Sequence, residues 1–516
     1  MGVRRMFLYG MSVDFHMPMK IELDGDASIE PYEADERGRI TIGKEYANQR
    51  VRAAVLERIV DRESEFPTDL PQFNFSSVDL DPERAPFEEK QRALLRTQSP
   101  GSAYWVGFAG SGKQSAIGID PDVYRRNVLI TGEKRSERNA ALQSQFQQIV
   151  SRGYGAIVYD PKDGSQTGES SYREIARSCN REDDVIEVNL SDPDSESFNA
   201  LELQIKPFSE TGATDSRFGV GKEEESHRFA IAAEEVADDV ETLLTAGGQE
   251  YWGPKMGRTV RNIARGLAET GRNVTLADIY AALVEATGEL EEASFLSDER
   301  AQWIKEYATK GAPDLDTRDV EPLLGRFQHW VEDDGRRRAV SATDPTFSVE
   351  NAVEQGKIIL ITSDNDETGL SQASVATAAT LAAYRVTQRA LASDDSDPAP
   401  YYLLAADFDR LETTNRWIAE FLSLSRHSNM STVAAARSPT DFAHPEVVTG
   451  QCLTHLTFAV SEATAAGLVG RHSKDVTQRD LRELPENQAY LRTEGGDSGQ
   501  LLESVKVQSL SPLIEE

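Results

Sequence analysis

From Ser102 onward short apolar runs alternate with longer amphipathic segments, and this alternation constrains the chain more than any other feature. NVLITG (Asn127 to Gly132), AIVYD (Ala156 to Asp160), DDVIEVNL (Asp183 to Leu190), KIILITS (Lys357 to Ser363), YYLLAAD (Tyr401 to Asp407), STVAAAR (Ser431 to Arg437) and THLTFAV (Thr454 to Val460) have the length and apolar content of buried strands. The segments between them carry a helical period. After the first strand, Leu142, Phe146, Ile149 and Val150 share one face of a helix predicted over 136–152. Strands separated by helices imply a parallel sheet covered on both faces, an α/β fold. Across residues 222–335 the strand-like runs stop, and Phe229 to Leu244, Pro254 to Glu269 and Leu276 to Ala286 read as helices. The sheet is therefore expected to be interrupted by a helical insertion.

These patterns divide the 516 residues into a small β element (1–65), a linker with one short helix around Glu88 to Arg96 (66–101), a first core segment (102–205), an all-α insertion (206–345), a second core segment (346–495) and an acidic C-terminal tail (496–516). Within the first of these, DERGRITIGKEYANQRVRAAVLE resembles swapped-hairpin AbrB-type domains, which pair strands between two chains and often bind DNA. A plain hairpin is the other reading.

Composition bears on the surroundings. Asp and Glu total 87 against 55 Lys and Arg, a formal net charge of −32, and the basic residues are 14 Lys and 41 Arg. A carboxylate-rich, lysine-poor surface stays hydrated in concentrated salt, where the Debye length shrinks to about 3 Å at 1 M. The chain reads as a halophilic, cytoplasmic protein. In such salt, DNA contact rests on local geometry, so the net charge does not exclude it. Cys179 and Cys452 have neither CxxC nor Cys/His spacing, which points away from a disulfide framework and from structural zinc. Nor does any apolar run reach the 18 residues of a membrane span.

Two stretches invite a phosphate-loop reading. GFAGSGKQS (Gly107 to Ser115) fits GxxxxGK, but Gln114 stands where a hydroxyl should hold magnesium, and Gly118 and Pro121 follow before a helix could form. A β-hairpin is expected there. The second candidate follows the strand NVLIT and opens the predicted helix, the strand–loop–helix arrangement that phosphate binding needs. It reads Gly132, Glu133, Lys134, Arg135, Ser136, Glu137, Arg138, Asn139. Glu137 replaces the second glycine and Arg138 the lysine. Asn139 replaces the magnesium-binding hydroxyl.

The run NVLITGEKRSERNAALQSQFQQIVSRGYGAIVYDPKDG, followed by DDVIEVNLSDPDSESFNALE, resembles the coupling-protein ATPases of conjugation and type IV secretion and their HerA-like relatives. The DPKG-like motif is Asp160, Pro161, Lys162, Asp163, and the FNPL-like motif is Phe198, Asn199, Ala200, Leu201. YWGPKMGRTVRNIARGLAE, SRHSNMSTVAAARSPTDF and LRELPENQAYLR extend the likeness across about residues 100–495. The resemblance implies a RecA-like P-loop NTPase core with an all-α domain, ATP and Mg as cofactors, and a hexameric ring around DNA. Taken with the acidic, lysine-poor composition and the substituted loop, the expectation is a haloarchaeal member with degenerate motifs. Where the family ends an apolar strand in Asp-Glu, this chain has Ala406 and Asp407, leaving Asp407 as the one candidate catalytic residue. Arg437 stands at a γ-phosphate-sensing Gln, and Arg426 at a position able to reach a neighbouring subunit.

Three readings of function stand at this point. The first is a DNA-handling homologue without efficient ATP hydrolysis, working as a homo-oligomer or beside an active paralogue, with any membrane association made through partners. The second is an active, atypical ATP-dependent DNA translocase. The third is a protein-interaction scaffold that binds neither nucleotide nor DNA.

Overall fold

The computed structural model describes residues 70–73, 85–109, 115–163, 170–202, 220–245, 252–270, 272–287, 295–310, 317–364, 369–392, 398–425, 427–494 and 502–514, with four short strands before residue 55. Two units separate at Thr68/Asp69. In the first, β1 (Arg5–Met6) pairs antiparallel with β3 (Ile40–Thr41), and β2 (Lys20–Leu23) with β4 (Val51–Ala54). The remainder of the expected hairpin element lies outside the described residues.

The second unit is organised on one twelve-stranded sheet. Its strands are β5 (Gln72–Phe73), β6 (Tyr104–Ala109), β7 (Ser115–Ile119), β8 (Val128–Thr131), β9 (Gly155–Tyr159), β10 (Val185–Asn189), β11 (Ile358–Thr362), β12 (Tyr401–Ala405), β13 (Met430–Ala436), β14 (Thr454–Thr457), β15 (Gln488–Arg492) and β16 (Val505–Ser509). The spatial order is β10-β11-β9-β12-β13-β8-β14-β15-β16-β6-β7-β5. The seven strands from β10 to β14 run parallel, and each coincides with one of the seven apolar runs. The six strands inside the edge are buried at nearly every position, while the edge strand β10 is mostly half-buried. From β14 onward the pairings turn antiparallel.

This antiparallel wing accounts for GFAGSGKQS. Its flanks are β6 and β7, paired in a hairpin as expected, with residues 110–114 outside the described set. The glycines serve packing: a Cβ on Gly107 would strike the Gln508 backbone of β16, and one on Gly118 would lie 2.8 Å from the Trp105 ring. The wing also alters the expected C-terminus. Residues 505–509, read as part of an acidic tail, form β16 between β15 and β6, with Val505, Val507 and Ser509 turned inward in strict alternation.

Helices fill the interval between β10 and β11, among them Val220–Leu244, Pro254–Ala268, Leu276–Thr287 and Thr317–Val331. They pack on a continuous core that includes Val240, Ile263, Leu283, Phe327 and Trp330. Asp278, fully buried, receives the Arg300 guanidinium at 2.5 and 3.0 Å and the Thr275 amide and hydroxyl at 2.8 Å. Trp252 packs against this core and donates to Glu241 at 3.0 Å, a packing role.

At the N-terminal edge of the parallel sheet, Asn127 takes φ 62°, a left-handed conformation. Its buried amide donates to the carbonyls of Leu422 and Gln451 and accepts from the Thr432 amide and the Ser425 hydroxyl. One side chain thus ties β8 to three neighbouring segments.

Candidate functional site

Parallel register brings the candidate residues together at the C-terminal edge of the sheet. Tyr159 of β9 lies opposite Ala405 of β12, and Thr131 of β8 opposite Ala436 of β13. Asp160, Asp407, Arg437 and Gly132 therefore leave neighbouring strand ends on one rim, where open α/β sheets present their crevice. The helix after Gly132 spans Arg135–Ser151 with Lys134 at its N-cap, so the strand–loop–helix geometry is present. Leu142, Phe146, Ile149 and Val150 are all buried.

The loop's own side chains close it. Arg138 donates to the carbonyls of Gly132 and Glu133, the latter at 3.1 Å, and is 5% exposed. Burial lowers the pKa of its guanidinium, against the pull of Asp407. The Glu133 amide points at the Ala459 carbonyl at 2.9 Å, so it is committed within the protein. Glu137 is buried and accepts from the Asn487 amide at 2.9 Å, while exposed Lys134 reaches Glu486 at 3.2 Å. Ser136 is exposed in the first helical turn. A Cβ on Gly132 would lie 2.8 Å from the Phe458 Cβ, so close packing against β14 suffices to require glycine there.

Arg135 holds the centre. One arm of its guanidinium contacts Asp407 at 2.5 Å and the other contacts Asp160. Asn139 donates to the second Asp160 oxygen at 3.0 Å, and the Lys162 amide to the first at 3.1 Å. Burial pushes the Asp160 carboxyl up to about 6, only partly offset by the nearby Arg135. The two carboxylates hold the Arg135 pKa above its usual value despite burial. Ala406, where the family carries a carboxylate, is fully buried and donates its amide to Tyr159 at 2.9 Å. Neighbouring Asp409 has its pKa raised by burial and by the charge of Asp407.

Of the other candidates, Arg437 at the end of β13 is exposed and pairs with Asp441 at 3.0 Å. Arg426 lies outside the described residues. The Arg135 bridge and the clasp by Asn487 and Ala459 have no counterpart in a reading of motifs. The signal in the sequence was three cations, Lys134, Arg135 and Arg138, in a loop that also held Glu133 and Glu137.

These residues do not fit a magnesium nucleotide. Phosphate binding needs loop amides that converge on an open concavity and a hydroxyl and carboxylates free to order the ion's shell. Here one amide and the loop carbonyls are taken internally, Glu137 turns a buried carboxylate to the Asn487 amide, and the acids are held by an arginine. Among the described residues, no group of three or more His, Cys, Asp or Glu is gathered as a metal ligand set. Nor is any helix among them long and apolar enough to cross a membrane.

No protein-family model matches the chain, and no curated protein matches it either. Solved structures do. The bacterial conjugative coupling protein TrwB in an unbound form superposes with TM-score 0.52 at 13% identity, covering 83% of this chain and 92% of that one. TrwB with ADP and Mg2+ gives 0.51 at 14% identity, covering 84% and 94%. TrwB with the non-hydrolysable GTP analogue GDPNP gives 0.51 at 12% identity, covering 82% and 92%. At these identities the likeness is one of fold: the chain has an α/β, RecA-like P-loop NTPase fold similar to that of a conjugative coupling protein.

Proposed function

We propose that this chain is a degenerate member of the conjugative coupling-protein group that acts in DNA transfer or DNA handling without efficient ATP hydrolysis. The observation that carries the second half is the Arg135 bridge between Asp160 and Asp407, with Arg138 folded onto the loop carbonyls. Hydrolysis in P-loop enzymes depends on a metal ion and a positioned water at this corner. A guanidinium occupying the carboxylates leaves neither in place. The first half rests on fold similarity over more than four-fifths of the chain, and on the order of coupling-protein motifs along it. The reading includes assembly as a ring, alone or with an active paralogue, as the coupling-protein resemblance implies, and the acidic composition fits work in concentrated salt.

The test is ATP binding and hydrolysis by the purified protein in molar KCl with magnesium, beside an Arg138→Ala variant. The expected result is no turnover by either. Turnover abolished by Arg138→Ala would make the chain a working motor with an unusual loop. DNA binding in the same salt, weakened when the exposed Lys134 is neutralised, separates the DNA-handling reading from a pure scaffold; Arg135 and Arg138 are engaged within the protein, so their variants test the loop rather than DNA contact.

A further inference from the structure

The two acids at the strand ends sit where the protein could be expected to need a counter-ion. Their side chains are 2% and 11% exposed, and each follows a strand, β9 (GAIVY) or β12 (YYLLA), whose five residues are all buried. Two ionised carboxylates facing one another in such a setting repel, and some cation must stand between them. In this chain the cation is covalently attached. We propose that Arg135 is a tethered replacement for a divalent ion, so that this corner of the fold is held closed without metal.

Four observations support the assignment. The Arg135 guanidinium reaches both acids at once, Asp407 with one Nη and Asp160 with the other, the forked geometry that suits a planar cation with two carboxylates. Asp160 also accepts from the Lys162 amide on the same oxygen and from Asn139 on the other. Magnesium would need near-octahedral oxygen ligands at about 2.0–2.1 Å with several retained waters, and the bridge leaves no such shell. Arg135 also opens the helix that follows the loop, so the same contact fixes the loop, β9 and β12 to one another. An arginine does not dissociate or titrate in the working range, so this closure does not depend on metal concentration.

The inference deepens the functional reading above and rests on it for its biological sense, but the two can fail separately, because the decisive titration contains no nucleotide. Mn2+ serves as the probe, followed by electron paramagnetic resonance and by thermal unfolding at constant ionic strength. The wild-type chain is expected to bind no Mn2+ at this corner and to unfold at the same temperature in Mn2+ and in chelator. Arg135→Ala leaves two uncompensated acids: its midpoint should fall, and millimolar Mn2+ should raise it again by several degrees. That rescue should vanish in Arg135→Ala/Asp160→Asn. Arg135→Gln, closer in volume, carries the same test if the alanine variant does not fold. Mn2+ bound by the wild type and lost in Asp160→Asn would overturn the proposal. So would an Arg135 variant as stable as the wild type and indifferent to Mn2+.

Discussion

Arg138 and Asn127 show how much a single buried side chain does here. Arg138 satisfies two loop carbonyls that would otherwise face the interior. Arg138→Ala should cost about 1–3 kcal/mol, the range for stranding buried polar groups, read from the midpoint of denaturant unfolding. For Asn127 the backbone and the side chain can be separated. Asn127→Gly and Asn127→Ala both lose the four amide hydrogen bonds, but only alanine also meets the left-handed backbone penalty. Alanine should therefore be the less stable of the two by about 1 kcal/mol in the same unfolding assay. Protonation is legible at this scale too. Asp160 and Asp239 titrate at about 6 in the folded chain, against about 3.9 when unfolded. Between those values the folded state holds more protons, so their contribution to stability falls as pH rises from about 4 to about 6. The slope of unfolding midpoint against pH in that window should be shallower in Asp160→Asn than in the wild type.

Among the elements, the parallel strands were legible because burial on both faces writes itself as unbroken apolar runs such as NVLIT and KIILIT. The insertion helices were legible from their period. β16 was not: Val505, Val507 and Ser509 alternate with exposed or half-exposed residues over five positions, too short a pattern to stand out from an acidic terminus. Nothing local encodes that Gln508 will lie beside Phe108. The site was half legible for a similar reason. Spacing placed Gly132 to Asn139 at a strand–helix junction, but the role of Arg135 depends on register between β9 and β12, which only the folded sheet sets. In the insertion, Arg300→Ala should cost about 3–5 kcal/mol, because it leaves Asp278 charged and buried. Loss of amide-exchange protection confined to the helices Leu276–Thr287 and Asp298–Lys310 would show that the effect stays local.

For the whole molecule, the sheet joins sequence-distant parts of the chain. A chain ending after residue 503 lacks β16, so β15 and β6 each lose a partner. Amides of β6 and β15 should then exchange rapidly, while those of β8, β9 and β12 stay protected; uniform protection would show that the wing does not need this strand. Phe108 and its partner Gln508 lie 400 positions apart. During synthesis the strands that flank the loop, β8 through β14, are all available before β16 has been made. The hairpin of β6 and β7 must meanwhile wait with one edge unpaired, an aggregation-prone state whose length is set by translation. The growing chain thus carries an open sheet edge until residues 505–509 have been made and docked, which makes the antiparallel wing the stretch where a chaperone would act.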